Sequence, residues 1–171
     1  MGNVNISESI TQKPVEMQLL YAAENGDYTR VKEIIEGLEV EVDVQNSSAL
    51  TPLFLAAKEG HEDCLRILLE AGAQVDGVGD HSTALTPIWV ATYAGHTECV
   101  QQLVEAGANL NSKHPETPLY IAAREHRTNC LEILINSGAS IDTRNSHNQT
   151  PLHVACAEMH IGGINLLVGA A

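Results

Sequence analysis

Histidine and cysteine recur in this chain at a spacing that could bind a metal ion. His61 and Cys64 are three residues apart, and His96 and Cys99 repeat that arrangement one repeat later. Imidazole and thiolate groups are common ligands of zinc, so a zinc site is the first chemistry that this pattern offers. The next copy has Arg127 where the histidines stood, which weighs against a ligand role.

The cysteines are better explained as packing residues. Cys64, Cys99 and Cys130 occupy the same place in successive copies of one sequence unit, beside apolar neighbours. A free cysteine in that setting behaves as a small buried apolar residue. We therefore expect no metal and no cofactor.

Motifs of catalytic sites are also missing from the sequence. It contains no P-loop, no G-x-G-x-x-G and no nucleophile elbow. The acidic residues are scattered, and no pair of them is placed for acid–base work. We predict that the chain is not an enzyme and has no small-molecule substrate.

The elements that position these residues are repeats. TPLFLAAKEGHEDCLRILLEAGA at 51–73 returns as TPIWVATYAGHTECVQQLVEAGA from Thr86 and as TPLYIAAREHRTNCLEILINSGA from Thr117, and a fourth copy, TPLHVACAEMH, starts at Thr150. The Thr-Pro pairs are separated by 35, 31 and 33 residues, and a degenerate copy, MQLLYAAENGD, precedes them from Met17. A period near 33 indicates a stack of supersecondary units.

Each unit predicts two short helices. Thr51 is a suitable N-cap, and Pro52 suits the first helical position. Gly60 is placed to end this first helix in a left-handed conformation. A second helix is expected at about 62–70, ended by Gly72. One such unit has too little core to fold alone, so the units must stack.

The units resemble the ankyrin repeat, whose signature T-P-L-H-x-A is matched in full by residues 150–155. The resemblance implies an all-α repeat solenoid, an ankyrin stack of about five helix-turn-helix units with hairpin fingers. It also implies that the first helices line a concave groove. We divide the chain into a flexible N-terminal segment, 1–15, and an ankyrin repeat domain, 16–171, with repeats at about 16–50, 51–85, 86–116, 117–149 and 150–171, the last one incomplete.

An aromatic column distinguishes this chain from the family pattern. The signature histidine is kept at His153, and the other copies have Phe54, Trp89 and Tyr120 there. These rings either pack between finger and helix or form an exposed binding stripe, since Trp and Tyr are common anchors of interfaces.

The resemblance implies a non-catalytic protein-interaction module, acting as an adaptor or scaffold. The residues just before the end of each first helix differ from copy to copy, which favours a surface role for them. We predict partner contacts at Phe54, Lys58, Glu59, Trp89, Tyr93, Tyr120 and Arg124, and at the finger histidines His81, His114 and His147.

Charge restricts the choice of partner. The formal net charge is −13, and residues 1–50 hold three basic and nine acidic side chains. Such a surface does not suit nucleic acid or anionic membranes; it is either an ordinary solvated face or a patch that attracts a basic partner to the N-terminal repeats. No apolar window is long enough to span a membrane, and the first residues lack the apolar core of a signal peptide, so we expect a cytoplasmic or nuclear protein.

A second function follows from a narrower resemblance. EGHEDCLRILLEAGAQVDG is similar to repeats of the ankyrin-repeat and SOCS-box family, which implies the substrate-receptor part of a cullin-type ubiquitin ligase, in the ubiquitin conjugation pathway. The recruiting box itself is not in this sequence. The apolar ending INLLVGAA leads us to expect that the natural chain continues with more repeats.

Asn111 is a candidate modification site. The context LVEAGANLN resembles ankyrin-repeat asparagines that a cytoplasmic oxygenase hydroxylates, with Leu103 eight residues earlier. We expect a fragment spectrum of the native protein to place the mass of one additional oxygen atom on Asn111. An unmodified Asn111 in protein from its own cells would contradict this prediction.

Overall fold

A computed structural model describes residues 14–37, 40–77, 85–111 and 116–171. In these ranges all regular structure is helical, as predicted. The helices are α1 Val15–Asn25, α2 Tyr28–Gly37, α3 Pro52–Glu59, α4 Glu62–Glu70, α5 Pro87–Ala94, α6 Thr97–Glu105, α7 Pro118–Arg124, α8 Thr128–Asn136, α9 Pro151–Ala157 and α10 Ile161–Gly169. One helix pair falls within each predicted repeat, with α1 beginning one residue early. Most of the N-terminal segment predicted at 1–15 lies outside the described residues.

The Thr-Pro pairs start the first helices as predicted. Thr51 Oγ1 accepts a hydrogen bond from the Phe54 amide at 3.2 Å, and the threonines that precede α5, α7 and α9 cap in the same way. Pro52 is the first residue of α3, a position whose N–H has no partner within the helix, so proline loses no hydrogen bond there. The cap therefore fixes where each of these four helices begins.

The first helices end in two different ways. After α1, α3 and α5 the chain turns at a glycine with φ between 72° and 89°. After α7 and α9 the equivalent residues are His126 and Met159, at φ 57° and 54°. A left-handed conformation is strained for a residue with a Cβ, so the sequence did not predict these two turns.

The helices form two layers along the stack. The first helices α1, α3, α5, α7 and α9 contact one another in that order, and the second helices do the same. Alanine pairs such as Ala56-Ala57 are completely buried between neighbouring first helices. Leu65 and Leu68 of α4 are also completely buried and face the first layer. The core is thus continuous from one repeat to the next.

Successive fingers are joined by side chains. Asp43 accepts from the Gln74 amide at 3.0 Å, and Asp76 accepts from the Asn109 amide at 2.9 Å. Tight turns close the fingers at 46–49 and 145–148, without an assigned strand in either. The hairpin fingers are therefore turns held to the neighbouring finger by carboxylates. Among the described helices, none has the length and apolar character needed to cross a membrane.

Replacing Leu68 with alanine should lower the free energy of unfolding by ~2–5 kcal/mol, because the side chain is fully buried and the neighbours cannot close the cavity completely. Urea denaturation followed by circular dichroism measures this change. Leu85→Ala is the control, since Leu85 keeps 44% of its surface exposed and its replacement should change stability by no more than ~0.5 kcal/mol. Equal stabilities of the two variants would contradict the stacked core.

Candidate protein-binding surface

The last residues of the five first helices form a single exposed surface, which we call the first-helix face. Each helix end contributes two positions, and Glu125 and Glu158 directly follow the last residues of α7 and α9: Glu24 and Asn25, Lys58 and Glu59, Tyr93 and Ala94, Arg124 and Glu125, Ala157 and Glu158. All of these residues are exposed or partly exposed. Because neighbouring first helices are in contact, the face runs along the stack from α1 to α9.

An aromatic pair lies at the centre of this face. The rings of Trp89 and Tyr93 are stacked, with centroids 5.5 Å apart and planes 8° from parallel. Trp89 Nε1 donates to the backbone carbonyl of Glu116 at 3.0 Å, which fixes the indole against the last residue of its own repeat. Tyr93 keeps 45% of its surface exposed. The hydrogen bond therefore fixes the Trp89 ring, and the Tyr93 ring stacked on it remains exposed to solvent.

The rest of the aromatic column belongs to the core. Phe54 is 8% exposed and Tyr120 is 5% exposed. The Tyr120 hydroxyl accepts from Asn145 Nδ2 at 2.9 Å, a bond between first helix and finger. Desolvation by burial raises the pKa of Tyr120. Phe54 and Tyr120 are thus packing residues, and little of their surface is accessible to a partner.

Both cations of the face, Lys58 and Arg124, are bound to carboxylates. Lys58 Nζ lies 2.6 Å from Glu59 Oε1, and this hydrogen bond is the main cause of the raised pKa of Lys58 and the lowered pKa of Glu59. Arg124 lies 2.7 Å from Glu116 and 2.8 Å from Glu125. Arg124 therefore contacts two carboxylates at once.

The structure describes only some of the predicted contact residues in the fingers. His147 is exposed on the turn at 145–148, and His81 and His114 lie outside the described residues. Asn111 is exposed, and its Oδ1 accepts from the Ser140 amide at 2.8 Å. It makes the bond that Asp43 and Asp76 make in other fingers. This bond gives Asn111 a structural role in joining two fingers, and its hydroxylation stays a prediction.

The histidines of the opening pattern join neighbouring repeats. His61 Nε2 donates to the carbonyl of Glu24 at 3.0 Å, and His96 Nε2 donates to that of Lys58 at 3.1 Å. Arg127 takes the same role, with Nε donating to the carbonyl of Tyr93 at 3.1 Å. An arginine can replace a histidine here because the bond needs only a donor.

Glycine makes room for these side chains. A Cβ at Gly26 would lie 2.5 Å from the His61 ring, and one at Gly60 would lie 2.5 Å from the His96 ring. We call His61, His96, Arg127 and His160 the bridging residues; His160 donates to the carbonyl of Ala123. Sequence reasoning missed this role. The signal was the glycine that comes directly before His61 and His96.

Three of the four cysteines, Cys64, Cys99 and Cys130, are buried free thiols. Burial raises the pKa of Cys64 to about 11 and that of Cys99 to about 12; it raises that of Cys130 as well. Among the described residues no group of three or more His, Cys, Asp or Glu side chains could hold a metal ion. Cys156 is exposed.

The thiols should therefore differ sharply in reactivity. In the native protein at pH 8 we expect Ellman's reagent to titrate Cys156 alone, because the buried thiols are shielded and remain protonated. All four should react in denaturant. Cys156→Ser is the control and should remove the native reaction. Fast native labelling of Cys64 or Cys99 would contradict the burial described above.

Comparisons with known proteins agree with the repeat architecture. The profile of the family described as "Ankyrin repeats (3 copies)" matches residues 19–114 and 112–171. Alpha-latrocrustotoxin-Lt1a of Latrodectus tredecimguttatus is 37% identical over 62 residues, 36% of this chain and 4% of that protein.

Two human proteins match similar lengths. Ankyrin repeat and SAM domain-containing protein 3 is 37% identical over 62 residues, 36% of this chain and 10% of its own length. M-phase phosphoprotein 8 is 42% identical over 57 residues, 33% of this chain and 7% of its own length. The similarity therefore covers a small part of each relative. Since the family profile matches almost the whole sequence, from residue 19 to residue 171, the chain belongs to the ankyrin repeat family.

Proposed function

We propose that this chain is a non-catalytic protein-binding module of the cytoplasm or nucleus, which holds a basic segment of a partner on its first-helix face. Ankyrin repeats generally mediate contacts between proteins. The observation that supports a site on this chain is the stacked pair of Trp89 and Tyr93, whose outer ring is 45% exposed. A large ring that is held in place but left open is typical of an interface anchor.

The backbone beneath the face is suited to binding. The carbonyls of Glu24, Lys58 and Tyr93 each accept a hydrogen bond from a bridging residue of the following repeat. The side chains of these three residues consequently project from a fixed position. A preorganised surface loses less conformational freedom on binding, which favours affinity.

Nothing in the described part of the chain favours the ubiquitin-ligase alternative over plain partner binding. The ubiquitin-ligase alternative requires in addition that subunits of a cullin ligase bind to the protein. The same experiment can therefore test both functions.

The test compares Tyr93→Ala with Tyr21→Ala. Tyr21 is also an exposed tyrosine, at 40%, but it lies at the N-terminal end of the stack on α1. Wild type and both variants are immobilised, exposed to native cell extract and analysed by quantitative mass spectrometry. We expect proteins that wild type and Tyr21→Ala retain to fall at least about tenfold with Tyr93→Ala, the loss typical of an interface anchor.

Identical retention by all three proteins would contradict the proposed site. Circular dichroism melting must first show that both variants are folded. Ligase subunits retained equally by all three would support the alternative function.

A further inference from the structure

Three large apolar residues follow one another at intervals of four in the central repeat. Leu85 lies directly before the Thr86 cap, and Trp89 and Tyr93 follow on α5. Residues four apart are neighbours on a helix surface, as the stacked rings of Trp89 and Tyr93 show. Leu85 keeps 44% of its surface exposed and Tyr93 keeps 45%. We call these three residues, Leu85, Trp89 and Tyr93, the apolar patch.

The next repeat indicates how Leu85 lies relative to Tyr93. Glu116 and Arg124 occupy the equivalent positions there, one directly before the threonine cap and one at the end of the first helix. Their side chains meet, with Nη1 of Arg124 2.7 Å from Oε1 of Glu116. Both first helices begin with a capping threonine and a proline, so the two repeats share this local geometry. The side chains of Leu85 and Tyr93 therefore project over the same side of α5.

The distribution of charge determines which group suits this patch. Residues 85–96 contain no lysine, arginine, aspartate or glutamate. On the two flanking helices, Lys58 is held by Glu59 and Arg124 is held by Glu125. A cation that loses water over the patch therefore gains no ion pair from residues 85–96, which makes its burial costly. A bulky apolar side chain gains free energy when it leaves water for the same surface.

We propose, resting on the function proposed above, that the apolar patch binds one bulky aliphatic or aromatic side chain of the partner segment, and that Leu85 determines this preference. The basic residues of the segment lie outside the patch, attracted by the overall negative charge of the chain. Among the repeats that begin with Thr-Pro, Leu50 is partly buried at the equivalent position, and Glu116 and Gln149 are polar. The preference therefore belongs to the central repeat.

Leu85→Glu separates an apolar contact from general attraction between opposite charges. The variant carries the residue that the next repeat has at this position, so the fold should tolerate it, and it adds one negative charge. A basic segment held by charge alone would bind this variant more tightly, whereas an apolar side chain would lose its contact. Met17→Glu is the matched control, because Met17 is 45% exposed but lies on α1 at the N-terminal end of the stack.

Peptides displayed on phage are the probe. Random peptides of about ten residues, about 33 Å long when extended, are selected on wild type near physiological salt and then labelled with fluorescein for anisotropy titrations. We expect selected peptides to contain a bulky apolar residue and to bind Leu85→Glu at least about tenfold more weakly, with less than about a twofold change for Met17→Glu. Replacing that peptide residue with alanine should weaken binding to wild type by a similar factor. Circular dichroism melting must first show that both variants are folded.

A selection in which no peptide depends on Leu85 would overturn this inference. Tighter binding to Leu85→Glu, or Leu85-dependent peptides that lack a bulky apolar residue, would overturn it as well. If the extract experiment still shows partners that depend on Tyr93, only this inference fails. If Tyr93→Ala changes neither the partners retained from extract nor the affinity of the selected peptides, the proposed function fails with it.

Discussion

A single helix pair of this chain can bury its apolar residues only against another pair, and this constraint determines the remaining structure. Leu65 and Leu68 are fully buried in a core that continues from one repeat to the next. Alanine pairs allow the first helices to approach closely, and the bridging residues then cross the remaining gap. That approach also explains Gly26 and Gly60, where a Cβ would occupy the place of the next histidine ring. Helix ending and repeat stacking thus depend on the same glycine.

The bridging bonds connect stability with the proposed function. Three of them end on the carbonyls of Glu24, Lys58 and Tyr93, whose side chains belong to the first-helix face. The backbone at these positions is fixed from the following repeat, whereas the side chains point away from the core and are free to vary. A repeat can therefore carry glutamate, lysine or tyrosine there at little cost to the fold. This separation of roles is why copies within one chain differ most where binding is proposed.

The sequence predicted the fold well because its signals are local. Thr-Pro and glycine fix helix ends through backbone conformation alone, so the bounds of α3 and α4 could be predicted closely. The turns at His126 and Met159 could not, since only the surrounding packing holds these residues at positive φ. The aromatic column was ambiguous for a similar reason. Phe54, Trp89 and Tyr120 share one helical position, but Phe54 and Tyr120 are buried whereas Trp89 is partly buried, and the sequence pattern does not distinguish them.

Net charge and local charge have different consequences for a partner. At physiological salt the screening length is about 8 Å, close to the 8–10 Å between packed helices. Each repeat therefore presents mainly its own charges to a bound segment, and the total of −13 acts as a diffuse attraction that speeds encounter. Selection must come from local differences, such as the neutral pair of Lys58 and Glu59 beside the open ring of Tyr93. Because ring contact is less sensitive to salt than ion pairing, the site that we propose draws its affinity from the aromatic pair and its orientation from the carboxylates.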